Sequence, residues 1–596
     1  MSNETPPSSV PGPTTASSAW RAAFPVLIWL RAYEPRWLVN DAVAGITLAA
    51  YGIPVSLAYA TLAGLTPQCG IYCYLVGGLA YAVFGSSRQL AIGPTSAISM
   101  LVGVTVGDMA DGDPLRLASI AALIAILVAV MCVLAWLLRL SSLVNFISET
   151  ILLGFKAGAA LTIAMTQLPK LFGVKGGGDP FFERVVVLAG QLSGIHYPVL
   201  LFGLAALTIL LLGEKLLPGR PVALLVVAVS IVLLSLTPLR GMGFSVVGAL
   251  PRGLPEFRLP GVWVRDVDGV IPVAFACLLL SYVESVSAAR AIARANGYDV
   301  DARQELLGLG FANLAAGVFQ AYPVAGGLSQ SSVNDKAGAR TPLSLVFASF
   351  TIGLCLLFLT GLLSNLPNVV LAAIVLVAVK GLVDLRELRH VWRVSRPEFF
   401  ISMVAFAAVL LLGILHGVML AVIISMLWLI TRASRPHVAI LGRIPGTDSF
   451  SDLDRHPENE VLAGVLMFRV EASLLYFNAE HVHATIRERI HATPGHLELV
   501  IVDLSNSPAV DLAGARMFAA LHTELRAAGI VLRLVSAHAV VRDLLRAEGL
   551  EAQVGSLGRH STVSHVLDEF FAQSGKATTL VADKQSKPSP DSGPNA

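Results

Sequence analysis

Charged residues are scarce in this sequence. Only 14% of its 596 residues are Asp, Glu, Lys or Arg, whereas 55% are hydrophobic, and the mean hydropathy is +0.72. A soluble protein of this length needs more charged surface than that. Apolar runs such as 221–236 and 399–430 are long enough to cross a hydrocarbon layer of about 30 Å as helices, which excludes a barrel of strands. The composition therefore predicts a polytopic α-helical membrane protein.

Signals for metal binding, disulfides and catalysis are also missing. The cysteines are Cys69, Cys73, Cys132, Cys277 and Cys355. All lie in apolar segments without CxxC spacing, so we expect buried free thiols. His481 and His483 stand among acids, as on a solvated face, and predict no metal site. No nucleophile, metal-ligand spacing or phosphate loop indicates an enzyme, and we expect no cofactor and no nucleic-acid partner.

The composition divides the chain into a membrane part and a soluble part. The first twenty residues are rich in Ser, Thr and Pro and do not resemble a signal peptide, which predicts a cytosolic tail. Hydrophobic runs then alternate with short loops until about residue 435, where an ordinary soluble composition begins. The predicted parts are a disordered tail at 1–35, a membrane transport domain at 36–434, a linker at 435–455, a soluble domain at 456–573 and a disordered tail at 574–596.

The hydrophobic pattern predicts fourteen membrane segments. They are 40–62, 70–86, 94–109, 116–139, 146–170, 196–216, 221–238, 270–289, 304–321, 328–338, 342–361, 368–383, 398–413 and 415–433. With this count the basic residues fall in loops on one side, and the other side has acidic or neutral loops such as 107–114. Since cytoplasmic loops carry the excess of Lys and Arg, we place both termini and the soluble domain in the cytosol, and the chain in the inner or plasma membrane.

Two predicted segments are too short to cross a membrane. The third begins near Gly93 and Pro94, the tenth begins near Gly326 and Gly327, and each is third in a half of seven segments. Short, interrupted segments at matching positions are typical of inverted-repeat transporters with a substrate site at the midplane. The alternative is that these residues only permit close helix packing. The matched positions favour the site.

Two charges lie away from the ends of the predicted membrane segments. Glu284 is the only charged residue between Asp268 and Arg290. A carboxylate at bilayer depth is costly unless it is paired, solvated or protonated, so we predict that Glu284 is a proton or ion site. Lys156 lies about two helical turns from the cytosolic side. We favour snorkelling of Lys156 to the interface over neutralisation of Glu284 or of a substrate.

Long strings of the sequence match blocks of a known family, in that family's order. They include DAVAGITLAAYGIPVSLAYATLAGLTPQCGIY, FGSSRQLAIGPTSAIS and ESVSAARAIARANGYDVDARQELLGLGFANLAAGVFQAYPVAGGLSQSSVN. With these strings the chain resembles the SulP family of anion transporters over almost its whole length. Its soluble part, including LELVIVDLSNSPAVDLAGARMF, is similar to the STAS domain of such transporters and has the pattern of an alternating α/β module.

The resemblance implies a uracil-permease-like architecture. This architecture has seven plus seven segments in inverted repeats, a core domain that moves against a gate domain, and two copies in a homodimer. In related bacterial STAS proteins a turn carries a phosphorylatable Ser, whereas here the turn Asp511–Gly514 has no hydroxyl, although Ser505 and Ser507 are near it. We therefore expect the STAS domain to support the dimer or to dock a cytosolic protein partner.

The starts of the two short helices are predicted to form an anion cradle. Each helix start carries roughly half a positive charge and N–H donors that point outward, so two that meet fit a small oxyanion. The predicted anion-binding residues are Thr95, Ser96, Ser329, Gln330 and Ser331, although Ser at a helix start is equally often an N-cap. The predicted cavity-lining residues are Val55, Ser56, Tyr59, Gly93, Pro94 and Gly327.

This sequence departs from the family pattern at two of these positions. Gln330 stands where many members have Arg, and Val55 stands where Gln is frequent. Without the arginine, dipoles and hydroxyls have to hold the anion. This argues against strong binding of a dianion and leaves the identity of the substrate open.

The expected function is secondary active transport of a small inorganic or carboxylate anion, and the resemblance places proton-coupled sulfate uptake first. An arriving anion favours protonation of Glu284 by like-charge repulsion, so a proton would be bound together with the substrate. One charge that crosses 100 mV costs about 2.3 kcal/mol, and a monovalent anion with one proton avoids that cost. Bicarbonate, nitrate or a half-protonated dicarboxylate fits one proton best, whereas sulfate needs a further proton or a large concentration gradient.

Several alternatives remain. Sodium-coupled transport or exchange of bicarbonate is the nearest rival, but the position one turn beyond Glu284 is Ala288, which has no oxygen ligand in its side chain. Ser285, Ser287 and backbone carbonyls remain available to sodium. Proton-coupled dicarboxylate uptake, an anion channel, and a STAS-based sensor or scaffold are the further alternatives.

Overall fold

The computed structural model describes residues 24–110, 113–141, 149–178, 181–217, 221–237, 242–248, 253–261 and 264–574. The chain divides into two compact units, Met1–Met426 and Leu427–Ala596. Each unit has its own hydrophobic core. The predicted tail at 574–596, apart from Ser574, and the first 23 residues of the predicted tail at 1–35 lie outside the described residues.

The first unit consists of helices joined by short loops and one two-stranded ribbon. Its helices are α1 (Val26–Arg31), α2 (Leu38–Leu62), α3 (Pro67–Phe84), α4 (Ser96–Met109), α5 (Pro114–Leu137), α6 (Glu149–Phe172), α7 (Phe181–Gln191), α8 (Tyr197–Leu216), α9 (Val222–Leu236), α10 (Val264–Ala295), α11 (Ala302–Val318), α12 (Leu328–Lys336), α13 (Leu343–Phe358), α14 (Thr360–Leu363), α15 (Asn368–Lys380), α16 (Leu385–Val394) and α17 (Arg396–Ser434), and its strands are β1 (Ile92–Gly93) and β2 (Ala325–Gly326).

Each predicted membrane segment coincides with one of these helices or with one half of α17. Within the described residues, eight helices are long and apolar enough to cross a membrane by length and composition. The predicted break between segments thirteen and fourteen falls at Gly413, where the chain leaves helical geometry with φ 82° and ψ 172°. Glycine adopts this positive φ without strain, so it can divide α17 there. The number of membrane crossings stays a prediction.

The N-terminal stretch expected to be disordered contains helix α1. The Trp29 indole Nε1–H donates a hydrogen bond to the carbonyl of Ala82 on α3 at 3.3 Å. The ring of Phe24 lies 5.2 Å from the ring of Phe84 between centroids. These aromatic contacts, which a composition count cannot detect, attach residues 24–31 to the first unit.

Helices α4 and α12 are the two short helices expected from the sequence. Strand β1 precedes α4, strand β2 precedes α12, and the two strands pair antiparallel with Ile92 opposite Gly326 and Gly93 opposite Ala325. The glycines and Pro94 end the extended stretches and leave no bulky side chain between the two backbones. The ribbon therefore holds the starts of both helices next to each other inside the unit.

Glycines let the helices of this unit pack at backbone distance. A Cβ atom on Gly70 of α3 would lie 2.0 Å from the carbonyl oxygen of Ser56 on α2, and one on Gly154 of α6 would lie 1.8 Å from that of Ser402 on α17. Small residues at such contacts are the usual way in which membrane helices gain close packing.

Two buried carboxylates connect the halves of the sequence. Asp41 accepts hydrogen bonds from the backbone N–H of Arg340 at 2.7 Å and from the Thr341 hydroxyl at 2.7 Å. Glu305 accepts them from the Tyr81 hydroxyl at 2.9 Å and from the Ser86 hydroxyl at 2.7 Å. Sequence reasoning did not single out either acid, because their partners lie far away along the chain.

The second unit is an α/β module with a five-stranded mixed sheet in the order β4-β3-β5-β6-β7. Strands β5, β6 and β7 are parallel, and β3 pairs antiparallel with both β4 and β5. Its elements are β3 (Val438–Arg443), β4 (Phe450–Asp452), β5 (Val465–Val470), α18 (Ala479–Ala492), β6 (Leu499–Asp503), α19 (Leu512–Ala527), β7 (Val531–Val535), α20 (Ala539–Ala547), α21 (Glu551–Val554) and α22 (Val563–Ser574).

The structure differs from the linker expected at 435–455. Strands β3 and β4 lie within that stretch and form one side of the sheet. The side chains of Ala439 and Leu441 are buried under helix α22 together with those of β5 and β6. The stretch resembles a linker in its sequence because residues 446–449 between the two strands are polar, and because both strands are short.

The contact between α2 and α3 gives a test of the packing. We expect Gly70→Ala to destabilise the protein by about 1–3 kcal/mol or to abolish its folding, because the added methyl group overlaps the Ser56 carbonyl. Gly190→Ala on α7 is the matched control, since a Cβ atom there meets nothing within 4 Å. Thermal unfolding of the detergent-solubilised chain measures both variants, and equal stability of the two would contradict the packing described here.

Candidate anion-binding site

A cavity of about 400 Å³, here called the central cavity, lies where α4 and α12 begin. It brings together most of the residues predicted from the sequence. The predicted residues in its wall are Val55, Tyr59, Pro94, Thr95, Ser96, Glu284, Gly327, Ser329 and Gln330. A neighbouring cavity of about 310 Å³ shares Tyr51, Val55 and Ser329 with it and extends to Glu214 and Lys336.

The backbone N–H groups at both helix starts have no acceptor among the described residues. The N-caps are Thr95 for α4 and Gly327 for α12, and neither helix start receives a side-chain cap. The first N–H groups with acceptors are those of Ser99, bonded to the Thr95 carbonyl at 2.9 Å, and Ser331, bonded to the Gly327 carbonyl at 3.0 Å. The N–H groups of 96–98 and 328–330 are thus left as free donors at the positive ends of two helices.

Two side-chain atoms at the central cavity are also without partners. Thr95 Oγ1 and Glu284 Oε2 are buried and make no hydrogen bond. A buried polar atom without a partner costs about 1–3 kcal/mol. Both atoms stand beside the free N–H groups, so the cavity concentrates donors and acceptors that folding does not satisfy.

Lys156 lies in the wall of the central cavity together with Glu284. This differs from the snorkelling that the sequence favoured. Helix α6 packs against α15 and α8, and this packing turns the face with Leu152 and Lys156 toward the cavity. No ion pair within 4.0 Å joins Lys156 to any described acid. A cation and a carboxylate thus face the same space without neutralising each other directly.

The side chain of Gln330 is occupied by contacts within the protein. Its Nε2 group donates to the Ala91 carbonyl at 3.0 Å and to the Ala325 carbonyl at 3.2 Å. Its Oε1 atom accepts a hydrogen bond from the Tyr74 hydroxyl. The amide therefore connects α3, the residue before β1 and strand β2, and only the backbone N–H of Gln330 remains available to an anion.

Three predicted site residues do not line the central cavity. The Ser331 hydroxyl accepts a hydrogen bond from the Ala91 N–H at 2.9 Å, and the Ser56 hydroxyl donates to the Ile53 carbonyl at 2.9 Å. Gly93 lies against the Tyr74 ring, which a Cβ atom would approach to 2.6 Å. All three positions stabilise the walls around the cavity.

Sequence reasoning missed several residues at the cavity. Tyr51, Leu152, Leu153, Ala378 and Gly381 are part of its wall. Ala378 and Gly381 gave no signal in the sequence, because they are small and apolar. Ser285, which the sequence offered only as a sodium ligand, accepts a hydrogen bond from the Gly326 N–H at 2.7 Å and so fixes strand β2 to helix α10.

In the soluble unit, the turn that lacks a phosphorylatable Ser is an ordinary helix start. Asp511 accepts hydrogen bonds from the Gly514 N–H at 2.9 Å and from the Tyr476 N–H at 2.7 Å. Ser507 is buried, and its hydroxyl donates to the Ala472 carbonyl at 2.9 Å. Ser505 bonds to Asp503 at 3.0 Å.

Comparison with protein families identifies both units. Residues 38–405 match the model of the sulfate permease family, and residues 456–566 match the STAS domain. A probable sulfate transporter of Mycobacterium tuberculosis is 34% identical over 543 residues, which cover 91% of this chain and 96% of that protein. Sulfate transporter 4.1, chloroplastic, of Arabidopsis thaliana is 31% identical over 559 residues, which cover 89% and 80%.

Solved structures show the same fold. The overall structure of SLC26A9 matches with a TM-score of 0.85 at 23% identity, covering 94% of each chain. The transmembrane domain of the cyanobacterial bicarbonate transporter BicA matches with a TM-score of 0.58 at 20% identity, covering 66% of this chain and 98% of that one. The expected fold class, a helical membrane part with a STAS domain, is confirmed.

The contacts of Gln330 predict a stabilising role that can be measured. Gln330→Met keeps the volume but removes the bonds to Ala91, Ala325 and Tyr74, so we expect a loss of about 1–3 kcal/mol in stability. Ser329→Ala is the control, because the exposed Ser329 hydroxyl on the same helix start makes no hydrogen bond in the structure. Thermal unfolding in detergent compares them, and equal melting temperatures would show that the Gln330 amide does not brace the ribbon.

Proposed function

Because this chain belongs to the sulfate permease family, we propose that it is a secondary active transporter of small anions whose specific reaction is proton-coupled sulfate uptake. The observation that carries the proposal is the central cavity, where free N–H groups of two helix starts face Glu284 and Lys156. The relatives named as sulfate transporters support sulfate as the substrate.

The charges around the central cavity support a coupled proton. Each helix start contributes about half a positive charge, Lys156 contributes one positive charge and ionised Glu284 one negative charge. The total is roughly one positive charge with Glu284 ionised and roughly two with Glu284 protonated. A dianion such as sulfate therefore matches the protonated cavity, and a monovalent anion matches the ionised one. Binding of sulfate and protonation of Glu284 thus favour each other.

Lys156 compensates for the arginine that many family members have after the serine of the second short helix. Sequence reasoning expected weak binding of a dianion, because Gln330 stands where many members have Arg and leaves only dipoles and hydroxyls to hold the anion. With Lys156 in the cavity wall, a cation is available from helix α6. Sulfate is then compatible with the chain despite Gln330.

The cavity lies between two groups of packed helices, which fits movement of a core against a gate. Helices α2, α3, α5, α10, α11 and α13 pack on one another, and α6, α8, α9 and α15 form the other group. Glu284 belongs to the first group, and Lys156 to the second. We propose that a bound anion bridges the two groups and that their relative movement exposes the cavity to alternate sides of the membrane.

The family match also bears on the assembly of the chain and on its orientation in the membrane. The chain is a multi-pass membrane protein with a STAS domain. We propose that it is a homodimer in the inner or plasma membrane, with both termini and the STAS domain in the cytosol, as the distribution of Lys and Arg predicts. The STAS domain then offers a surface to a cytosolic protein partner.

Glu284→Gln tests the coupling. In liposomes with purified protein, an inward proton gradient should accelerate sulfate uptake by the unchanged protein but not by Glu284→Gln, which should still exchange anions because the N–H groups and Lys156 remain. Glu256→Gln, which alters an exposed carboxylate outside the cavity, is the control and should keep the acceleration.

The same liposomes separate the alternatives. Strict dependence on sodium without dependence on protons would favour sodium coupling, for which Ser287 at the cavity wall offers an oxygen. An electrical current larger than the turnover of a carrier can produce would favour an anion channel. The absence of flux for every labelled anion that is tested would favour a sensor or scaffold. Unchanged proton acceleration in Glu284→Gln would remove Glu284 from the mechanism.

Lys156→Gln tests the charge balance. Removing one positive charge near the bound anion should raise the KM for sulfate by roughly tenfold or more. The KM for a monovalent anion such as nitrate should rise less, because the Coulomb energy scales with the charge of the anion. Uptake of both labelled anions by the same liposomes gives the comparison, and equal effects on the two would contradict a direct interaction with Lys156.

A further inference from the structure

A further cavity of about 430 Å³ is lined by three helices that also line the central cavity. Helix α2 lines the central cavity with Tyr59 and this one with Thr61. Helix α6 lines the central cavity with Lys156 and this one with Lys170. Since an α-helix rises about 1.5 Å per residue, the two lysines are separated by about 21 Å along α6. We call this space the Lys170 cavity.

The wall between the two cavities is thin. On α4, Ser96 lines the central cavity and Met100 lines the Lys170 cavity. These residues are one helical turn apart, which is about 6 Å. Ala60, Ile98 and Ile163 lie between the two cavities along α2, α4 and α6, and all three are fully buried. An apolar layer about one turn thick thus closes the central cavity on this side.

The lining of the Lys170 cavity suits a small anion. Lys170 and Arg184 supply positive charge, and Thr61, Thr166 and Gln167 supply polar groups. Lys170 makes no ion pair or hydrogen bond with any described residue, and none of the described lining residues is acidic. A cleft that has positive side chains and apolar walls raises the local concentration of anions.

We propose that the Lys170 cavity is a capture site for the transported anion on the side of the membrane opposite the opening toward Lys336. Lys170 holds a small oxyanion there until the apolar layer opens, and the anion then moves along α2, α4 and α6 to the helix starts. This site rests on the proposed function, because its ligand is the anion that the central cavity transports.

An anionic lipid headgroup offers the same chemistry as a free oxyanion, so the test uses liposomes of phosphatidylcholine only. Val104, which lines the cavity and is 39% exposed, is changed to cysteine as a reporter. The five native cysteines are buried, so they react slowly. The measurement is the rate at which Val104→Cys reacts with a membrane-impermeant anionic thiosulfonate, divided by its rate with a cationic one.

Lys170→Gln, added to Val104→Cys, should lower this ratio by roughly tenfold, because one nearby charge attracts the anionic reagent and repels the cationic one. Sulfate should slow the reaction when Lys170 is present, at constant ionic strength, and should not do so in Lys170→Gln. Lys175→Gln removes an exposed cation five residues along the chain that does not line the cavity, and it should leave both results unchanged. Lys170→Arg should retain the effects.

The outcomes separate this site from the transport function. If the unchanged protein transports sulfate but Lys170→Gln leaves the rate ratio and the sulfate protection intact, the Lys170 site is refuted and the proposed function stands. If Lys175→Gln has the same effect as Lys170→Gln, the general positive charge of the surface attracts the anionic reagent, and the Lys170 site is refuted. If added phosphatidylglycerol slows the reaction when Lys170 is present and sulfate does not, the ligand is a lipid headgroup and the capture site for the transported anion is refuted. Absence of anion flux in the unchanged protein refutes the proposed function.

Discussion

Two helices that begin inside the membrane unit impose the constraint on which the rest of the structure depends. The N–H groups of 96–98 and 328–330 have no acceptor within the described chain, and such groups are costly away from water. The pairing of β1 with β2 fixes both helix starts beside each other, so their positive ends act on one space. In the proposed function a bound anion supplies the acceptors that the fold leaves out, so that the backbone favours a negatively charged ligand before any side chain contributes.

Polar side chains around this space bond to the loops and strands that precede the two helices. Ser331 accepts a hydrogen bond from the Ala91 N–H, Ser285 accepts one from the Gly326 N–H, and Asn313 pairs with both backbone groups of Val324 at 3.0 and 3.1 Å. Gln330 bonds to Ala91, next to β1, and to Ala325 of β2. Because these side chains hold the extended stretches before each helix, they fix the direction of the free N–H groups.

The helices, and the meeting of two short helix starts beside Glu284, were predictable from the sequence because each leaves a local signal, namely long apolar runs, glycine and proline before short helices, and an isolated acid at Glu284. That an anion binds there stays a prediction. The remainder depends on distant partners. Gln330 looked like a ligand, and only its contacts with Tyr74 and Ala91 show that its amide is engaged. The inward direction of Lys156 depends on which face of α6 packs against α15. The strand at 438–443 depends on pairing with β5, and the strand at 450–452 depends on pairing with β3. The amino-acid composition of such short segments does not reveal these pairings.

The positions of Glu284 and Lys156 on different groups of helices have a consequence for exchange of anions. In the proposed mechanism, closing the central cavity without a ligand would bring a carboxylate, a lysine and two positive helix ends out of water together. Burial of charges without matched partners costs more than burial of neutralised ones. A bound dianion with a protonated Glu284 gives a nearly neutral cavity, whereas the empty cavity keeps a net positive charge. Closure of the central cavity therefore costs less free energy in the loaded protein than in the empty protein. In the proposed mechanism this difference couples the movement of the helices to transport.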